Sequence, residues 1–156
     1  SPLIMRLLEE KLNIKAITVM VQKEAAERLC AEMGTRECGA VTAAVRYYCE
    51  PQIMFGVGRD SFLPPPKVDS AVIRLNVGKR ASLAVSDERA FFRLIKAAFS
   101  MRRKTLSNAL SSSLGISKGE IQAAFEKCGI EPTARAESLK EEQFAALSNE
   151  LFRRES

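Results

Sequence analysis

Apolar positions change their spacing midway along the chain, and the change separates two kinds of secondary structure. Pro2 to Lys11 reads as a helix: Ser1 can cap it, Pro2 suits its first turn, and Leu3, Leu7 and Leu8 share one face. Ile14 to Val21 is an apolar run rich in β-branched residues, the pattern of a buried strand of the parallel-sheet kind, with Met20 in the core. Lys23 to Met33 returns to helical spacing, with Ala25, Ala26, Leu29 and Cys30 inward and Gly34 as the stop. Gly39 to Cys49 fits either period. Ala43, Ala44 and Tyr47 suit a helical face, Val41, Val45, Tyr47 and Tyr48 tolerate a strand, and the helix is preferred. Gln52 to Val57 reads as a strand. Asp69 to Val77 alternates Ala71, Ile73, Leu75 and Val77 against polar neighbours, a strand with one buried face.

After Gly78 the strand period does not return. Ser86 is placed to cap a helix running to about Phe99, with Asp87 and Glu88 in its first turn. Arg102 to Ser112 forms a second helix. Ser117 with Glu120, and Ser138 with Glu141, have capping-box spacing and open a third helix, ending before Gly129, and a fourth, running to about Phe152. Phe91, Phe92, Phe99, Phe125, Phe144 and Phe152 recur at helical spacings and form its expected core. The pattern predicts an α/β fold: an open sheet over residues 1–80, then a small all-helical domain over 81–156, meeting near residues 78–85.

Composition narrows the chemistry. The 156 residues are 46% hydrophobic and 28% charged, the balance of a globular protein. No stretch approaches the ~20 apolar residues of a membrane span. There is no histidine, which excludes a histidine base or nucleophile within the chain. Cys30, Cys38, Cys49 and Cys128 form no CxxC pair, which argues against a metal site and for reduced thiols in a cytoplasmic protein. Glu9, Glu10, Glu24 and Glu27 read as solvated helix faces.

Charge is more informative by position than in total. Residues 1–73 carry nine basic and nine acidic side chains, 74–107 nine and two, and 108–156 six and eight. Nearly all the excess therefore sits in one short segment, which favours polyanions. Within it Arg102, Arg103 and Lys104 are expected to start a helix, with Arg93 and Lys96 one or two turns earlier. Cations at that end oppose the macrodipole, costing a few tenths of a kcal/mol each. A phosphate there would relieve the conflict. The plainer alternative is a solvated basic face.

The segment around Phe62 is the most distinctive. Pro64, Pro65 and Pro66 stiffen the backbone and remove three amide donors, with Phe62 just before them and Lys67 just after. A rigid loop with an aromatic face beside a cation suits stacking on a nucleobase near a phosphate. A proline-rich turn whose Phe62 plugs the core edge has the same composition, and composition alone favours that reading.

The exact string adds a resemblance. Phe62 to Leu75, FLPPPKVDSAVIRL, resembles the F-x-P-x-P-K-V-x-S-x-x-x-x-L motif of the rRNA adenine N6-methyltransferases, and within them the small-subunit rRNA dimethyladenosine transferases. Ser1-Pro2-Leu3-Ile4 is similar to the segment following that family's N-L-P-Y motif. Met20-Val21-Gln22-Lys23-Glu24 with Ala26, Glu27 and Arg28 is similar to its next strand and helix, and Tyr47-Tyr48-Cys49 to the approach to its penultimate strand. Arg102-Arg103-Lys104-Thr105-Leu106 resembles its basic helix start. Gly129-Ile130, Arg135-Ala136-Glu137 and Leu139 resemble its last domain. The likeness covers nearly the whole chain.

The resemblance implies the C-terminal portion of a Rossmann-like methyltransferase sheet followed by a helical rRNA-binding domain. It implies S-adenosylmethionine as the methyl donor and small-subunit (16S) rRNA, within a 30S ribosomal precursor, as the partner, with N6 of two adjacent adenines methylated twice each. It implies that Phe62 stacks on the flipped adenine, because N6 is out of reach inside the stack. Lys67 and the prolines would shape that pocket, and Arg102, Arg103 and Lys104 would bind RNA. The family's glycine-rich cofactor loop and N-L-P-Y motif do not occur here; in relatives they precede the position of Ser1. The expectation is that this polypeptide alone neither binds S-adenosylmethionine well nor methylates RNA. Two other readings stay open: a non-catalytic RNA-binding or ribosome-assembly module, and a large-subunit rRNA methyltransferase conferring antibiotic resistance. The helical tail with Arg135-Ala136-Glu137 favours the small-subunit type.

Overall fold

The computed structural model describes residues 2–77 and 83–153. The chain forms two compact units, one of residues 1–32 and 41–81, the other of 33–40 and 82–156. The short segment 33–40 thus belongs with the helices, although it lies in sequence inside the α/β part. Parts of the expected junction at 78–85 fall outside the described residues.

In the first unit, helix α1 (Pro2–Glu9) buries Ile4 and Leu8. Strands β1 (Ala16–Gln22), β2 (Glu50–Val57) and β3 (Ser70–Asn76) form one sheet in the order β1-β3-β2. β3 runs antiparallel to both neighbours, from Ala16 opposite Asn76 to Gln22 opposite Ser70 on one side, and from Glu50 opposite Asn76 to Val57 opposite Ser70 on the other. β1 and β2 are therefore parallel to each other with β3 inserted between them. The register of β2 shifts between Ile53 and Phe55. The alternation expected for β3 is present, with Ala71, Ile73 and Leu75 buried.

β1 departs from expectation. Its ladder partner is antiparallel, and only Ile17 reaches full burial. Met20 is 50% exposed rather than core. The apolar run gave a two-sided pattern, but among the described residues only one face of this strand is covered.

Helix α2 (Lys23–Leu29) is shorter than its spacing suggested, and Ala26 and Leu29 alone face inward. Ala25 is exposed and Cys30 half-buried, so neither takes the full inward position expected of it. Gly34, at φ 85°, lies beyond the helix end. The ambiguous segment is helix α3 (Ala40–Tyr48). Thr42 Oγ1 donates to the Arg28 carbonyl at 2.6 Å, and Arg46 donates to the carbonyls of Ala31 at 2.7 Å and Cys30 at 3.2 Å. These bonds satisfy carbonyls that the end of α2 leaves without helical partners.

In the second unit, α4 (Glu88–Ala98), α5 (Leu106–Leu114), α6 (Lys118–Cys128) and α7 (Glu141–Leu151) pack in a ring, α4 touching α5 and α7, and α6 touching α5 and α7. Leu94, Ile95, Leu106, Leu110, Ile121, Phe125, Phe144 and Leu147 form the core. Phe91 is also buried, while Phe92, Phe99 and Phe152 are only half-buried.

Three expected helix starts move. Asp87, not Ser86, caps α4, accepting from the Ala90 amide at 3.2 Å; the Ser86 amide and hydroxyl both donate to Asn149 Oδ1 at 3.0 Å. Asn149 in turn donates to the Ala84 carbonyl at 2.6 Å, so a side chain of α7 fixes the chain entering α4. Ser138 donates to the Arg135 carbonyl within a 3-10 turn, and α7 begins later, with Gln143 accepting from the Lys140 amide at 2.9 Å. The third is the helix expected to start at Arg102, which begins instead at Leu106, as α5. Ser117 does cap α6, accepting from the Glu120 amide at 3.3 Å, and Gly129 ends that helix at φ 67°.

Candidate functional site

The last rung joining β2 to β3 pairs Val57 with Ser70. The twelve residues between them make a long connection, since hairpin loops are commonly two to five residues. Its path is fixed at the base. Arg59 and Asp69 face each other across the neck: the Arg59 amide donates to Asp69 Oδ1 at 3.0 Å, and Arg59 Nε to the same oxygen at 3.1 Å. Arg59 Nη1 donates to the Lys67 carbonyl at 3.0 Å. The Asp69 carbonyl accepts from the Lys23 amide at 2.9 Å, which ties the neck to the start of α2. The Arg59 amide first, then its guanidinium, holds the Asp69 carboxyl below the usual carboxylate range.

Above the neck, Arg59–Ser61 forms one 3-10 turn, with the Ser61 amide donating to the Gly58 carbonyl at 3.0 Å and the Phe62 amide to the Arg59 carbonyl at 3.3 Å. Phe62 follows in extended conformation, φ −118° and ψ 153°, with its ring half-buried. Leu63 is 98% exposed, and the Leu63–Pro64 peptide is cis. Pro64, Pro65, Pro66 and Lys67 are exposed. Phe62 and Lys67 thus lie in one loop whose ends Arg59 joins. An open depression of about 330 Å³ lies beside the neck, lined in part by Lys23, Glu27, Gly58, Asp69 and Ser70. Neither Arg59 nor its bond to Asp69 was singled out from the sequence. The only signal was a cation and a carboxylate flanking the proline run ten residues apart.

Arg102, Arg103 and Lys104 belong to the second unit and are exposed. They do not start a helix. They occupy the turn before α5, where the Lys104 amide donates to the Met101 carbonyl at 3.0 Å. Thr105 is the cap, its hydroxyl accepting from the Asn108 amide at 3.3 Å. The three cations are thereby kept out of the first helical turn, where the macrodipole would oppose them. Arg102 Nη2 donates to the Cys38 carbonyl at 3.3 Å, and Cys38 Sγ to the Glu137 carbonyl at 3.7 Å, which anchors segment 33–40 among the helices. Burial, above all, pushes the Cys38 thiol up, and the same cause raises Cys30 and Cys128 and takes Cys49 to about 12. These thiols are protonated and poorly nucleophilic at neutral pH.

The described residues do not form the glycine-rich strand-to-helix turn of a nucleotide-type cofactor site. The direct strand-to-helix turn, Gln22–Lys23, has no glycine, and the glycines of positive φ, Gly34, Gly115 and Gly129, lie after helices. No group of three or more histidine, cysteine or carboxylate side chains among the described residues could hold a metal.

The family model "Ribosomal RNA adenine dimethylase" matches residues 1–152. Ribosomal RNA small subunit methyltransferase A of Geobacillus thermodenitrificans is 47% identical over 155 residues, covering 97% of this chain and 53% of that protein. The protein of the same name from Clostridium acetobutylicum is 43% identical over 153 residues, covering 98% and 55%. The chain therefore spans about half the length of the curated relatives it matches. A crystal structure of a dimethyladenosine transferase from Plasmodium falciparum aligns with TM-score 0.69 at 25% identity, over 94% of this chain and 60% of the other. The 23S rRNA methyltransferase ErmE aligns with TM-score 0.66 at 22% identity, over 95% and 59%, a likeness of fold.

Proposed function

The chain belongs to the ribosomal RNA adenine dimethylase family, and on that premise we propose that it supplies the target-base loop and the rRNA-docking surface of a small-subunit rRNA adenine N6,N6-dimethyltransferase. The observation that carries the proposal is the stapled, proline-stiffened loop that carries both the half-buried Phe62 and the exposed Lys67. The family's chemistry needs an adenine held outside the helix with N6 free to react. Phe62 offers it a stacking face, an interaction of ~1–3 kcal/mol per base. Lys67 supplies a positive charge to the adjoining phosphate, and Arg102, Arg103 and Lys104 hold further phosphates sequence-independently.

In this reading S-adenosylmethionine supplies the methyl group, and its main site belongs to the family's glycine-rich loop and N-L-P-Y motif, which do not occur in this sequence. The partner is the small-subunit rRNA of a 30S precursor in the cytoplasm. No described helix is long and apolar enough to cross a membrane. The small-subunit assignment follows the relatives at 43–47% identity, which carry that name. ErmE, at 22%, supports the fold and not the large-subunit reading.

The test is methyl transfer by the full-length gene product to isolated small and large ribosomal subunits. Transfer to the small subunit, with a loss of at least ~10-fold in kcat for Phe62→Ala, is expected. Transfer to the large subunit alone would overturn the substrate. Binding of small-subunit rRNA without any transfer would favour the assembly-module reading. The 156-residue chain by itself is expected to give no S-adenosylmethionine isotherm by calorimetry; a clear one would refute the placement of the cofactor site.

A further inference from the structure

We propose that Arg59 is a positioning residue for the target-base loop, closing its neck and so setting the plane that Phe62 presents to the base. The inference rests on the reading that Phe62 stacks on the target adenine.

The loop cannot hold its own shape through backbone hydrogen bonds. Pro64, Pro65 and Pro66 have no N–H to donate, and the two backbone bonds at Ser61 and Phe62 lie before them. β-Ladder pairing ends below the neck, at Val57 and Ser70. Arg59 bridges that gap. Its amide and Nε meet one carboxylate oxygen of Asp69, and its Nη1 meets the Lys67 carbonyl. The side chain thus joins the residue that begins the 3-10 turn before Phe62 to the backbone of Lys67, the two candidate contact residues' own flanks. Only residues 60–66 remain beyond the closure.

The pair is solvent-accessible, 52% for Arg59 and 42% for Asp69. An exposed ion pair adds little to global stability. Its effect is therefore conformational: it selects one loop geometry without greatly changing how hard the unit is to unfold. Lysine cannot reproduce it, because a single ammonium lacks the planar fork that reaches the carboxylate and the carbonyl together.

The experiment compares wild type, Arg59→Ala, Arg59→Lys and Phe62→Ala in the full-length protein. It measures kcat and KM on small subunits, the Tm, and the emission of 2-aminopurine placed at the target adenine of an rRNA fragment, which reports stacking on an aromatic ring. Arg59→Ala is expected to lower kcat ~10-fold or more, leave KM for S-adenosylmethionine within ~2-fold, leave Tm within ~2 °C, and lose most of the stacking signal. Arg59→Lys should recover part of kcat. Wild-type kcat and stacking in Arg59→Ala, with Phe62→Ala impaired, would overturn the role of Arg59 alone. A fall in Tm that accounts for the lost activity would make Arg59 structural and also overturn it. Wild-type activity in Phe62→Ala would overturn the base-stacking reading and this inference with it.

Discussion

Neutralising the cationic turn tests whether the helical unit holds RNA. Arg103 and Lys104 are exposed, while Arg102 already donates to the Cys38 carbonyl. Each cation that displaces a counterion from RNA contributes ~0.7 to ~0.9 to the slope of log K against log salt. Arg103→Gln with Lys104→Gln should therefore flatten the slope by ~1.4 to ~1.8. Adding Arg102→Gln should bring the change to ~2.1 to ~2.7. Across a fourfold range of salt, the triple variant then loses ~20- to ~40-fold less affinity than wild type does.

Fluorescence anisotropy with a labelled small-subunit rRNA fragment, from about 50 to about 200 mM salt, measures these slopes directly. The loss should be uniform across RNA sequences, because phosphate contacts carry no base information. Arg102→Gln alone serves as a control on folding, since it removes the bond to Cys38; its Tm must be recorded beside its slope. An unchanged slope in the double variant, with Tm also unchanged, would refute the turn as an RNA contact. It would leave the three side chains as a solvated face.

Other expectations concern stability and reactivity. Phe144→Ala, which empties a position at 0% exposure beside the Phe99 ring, should cost about 3–5 kcal/mol in urea unfolding, whereas Leu63→Ser, at 98% exposure, should stay within ~0.5 kcal/mol. Thr105→Ala should cost about 1 kcal/mol through the lost cap of α5, and Thr105→Ser should restore most of it in the same assay. The Cys49 thiol is raised to about 12 by burial, above its unfolded value, so its contribution to stability is complete below about pH 8.5 and is lost as pH rises towards 12. Cys49→Ala should flatten that alkaline decline, and in the folded protein Cys49 should react with iodoacetamide far more slowly than a free thiol; fast alkylation at neutral pH would contradict its burial.

Much of the fold was legible because its signals are local. The alternation of Ala71, Ile73 and Leu75 named β3 and its buried face, and Gly129 marked the end of α6. The misplaced starts have a shared cause. Ser86 and Asp87 are adjacent and both can cap, and only Asn149, far along the chain, decides between them by accepting both donors of Ser86. Ser138 and Glu141 have capping-box spacing, yet Ser138 turns back to Arg135. Met20 looked buried because its run is apolar on both faces, while burial depends on which face a neighbour covers. Of the candidate site, the proline run stood out by composition and Phe62 by the motif it opens. The Arg59 closure did not, since it exists only once the loop has folded back on itself.

The arginines also change what the charge distribution means. Arg46, Arg59 and Arg102 each donate to backbone carbonyls: Arg46 to Ala31 and Cys30, Arg59 to Lys67, Arg102 to Cys38. Each fastens an irregular segment where the backbone alone leaves acceptors open, a task suited to a planar fork of five donors. A carbonyl bond does not neutralise a guanidinium, so Arg102 keeps its full charge and most of its donors while fixing segment 33–40. The cationic turn can thus be structural and phosphate-binding at once. For that reason Arg102 should differ from its neighbours: its loss should lower Tm as well as the salt slope, whereas the loss of Arg103 or Lys104 should lower the slope alone.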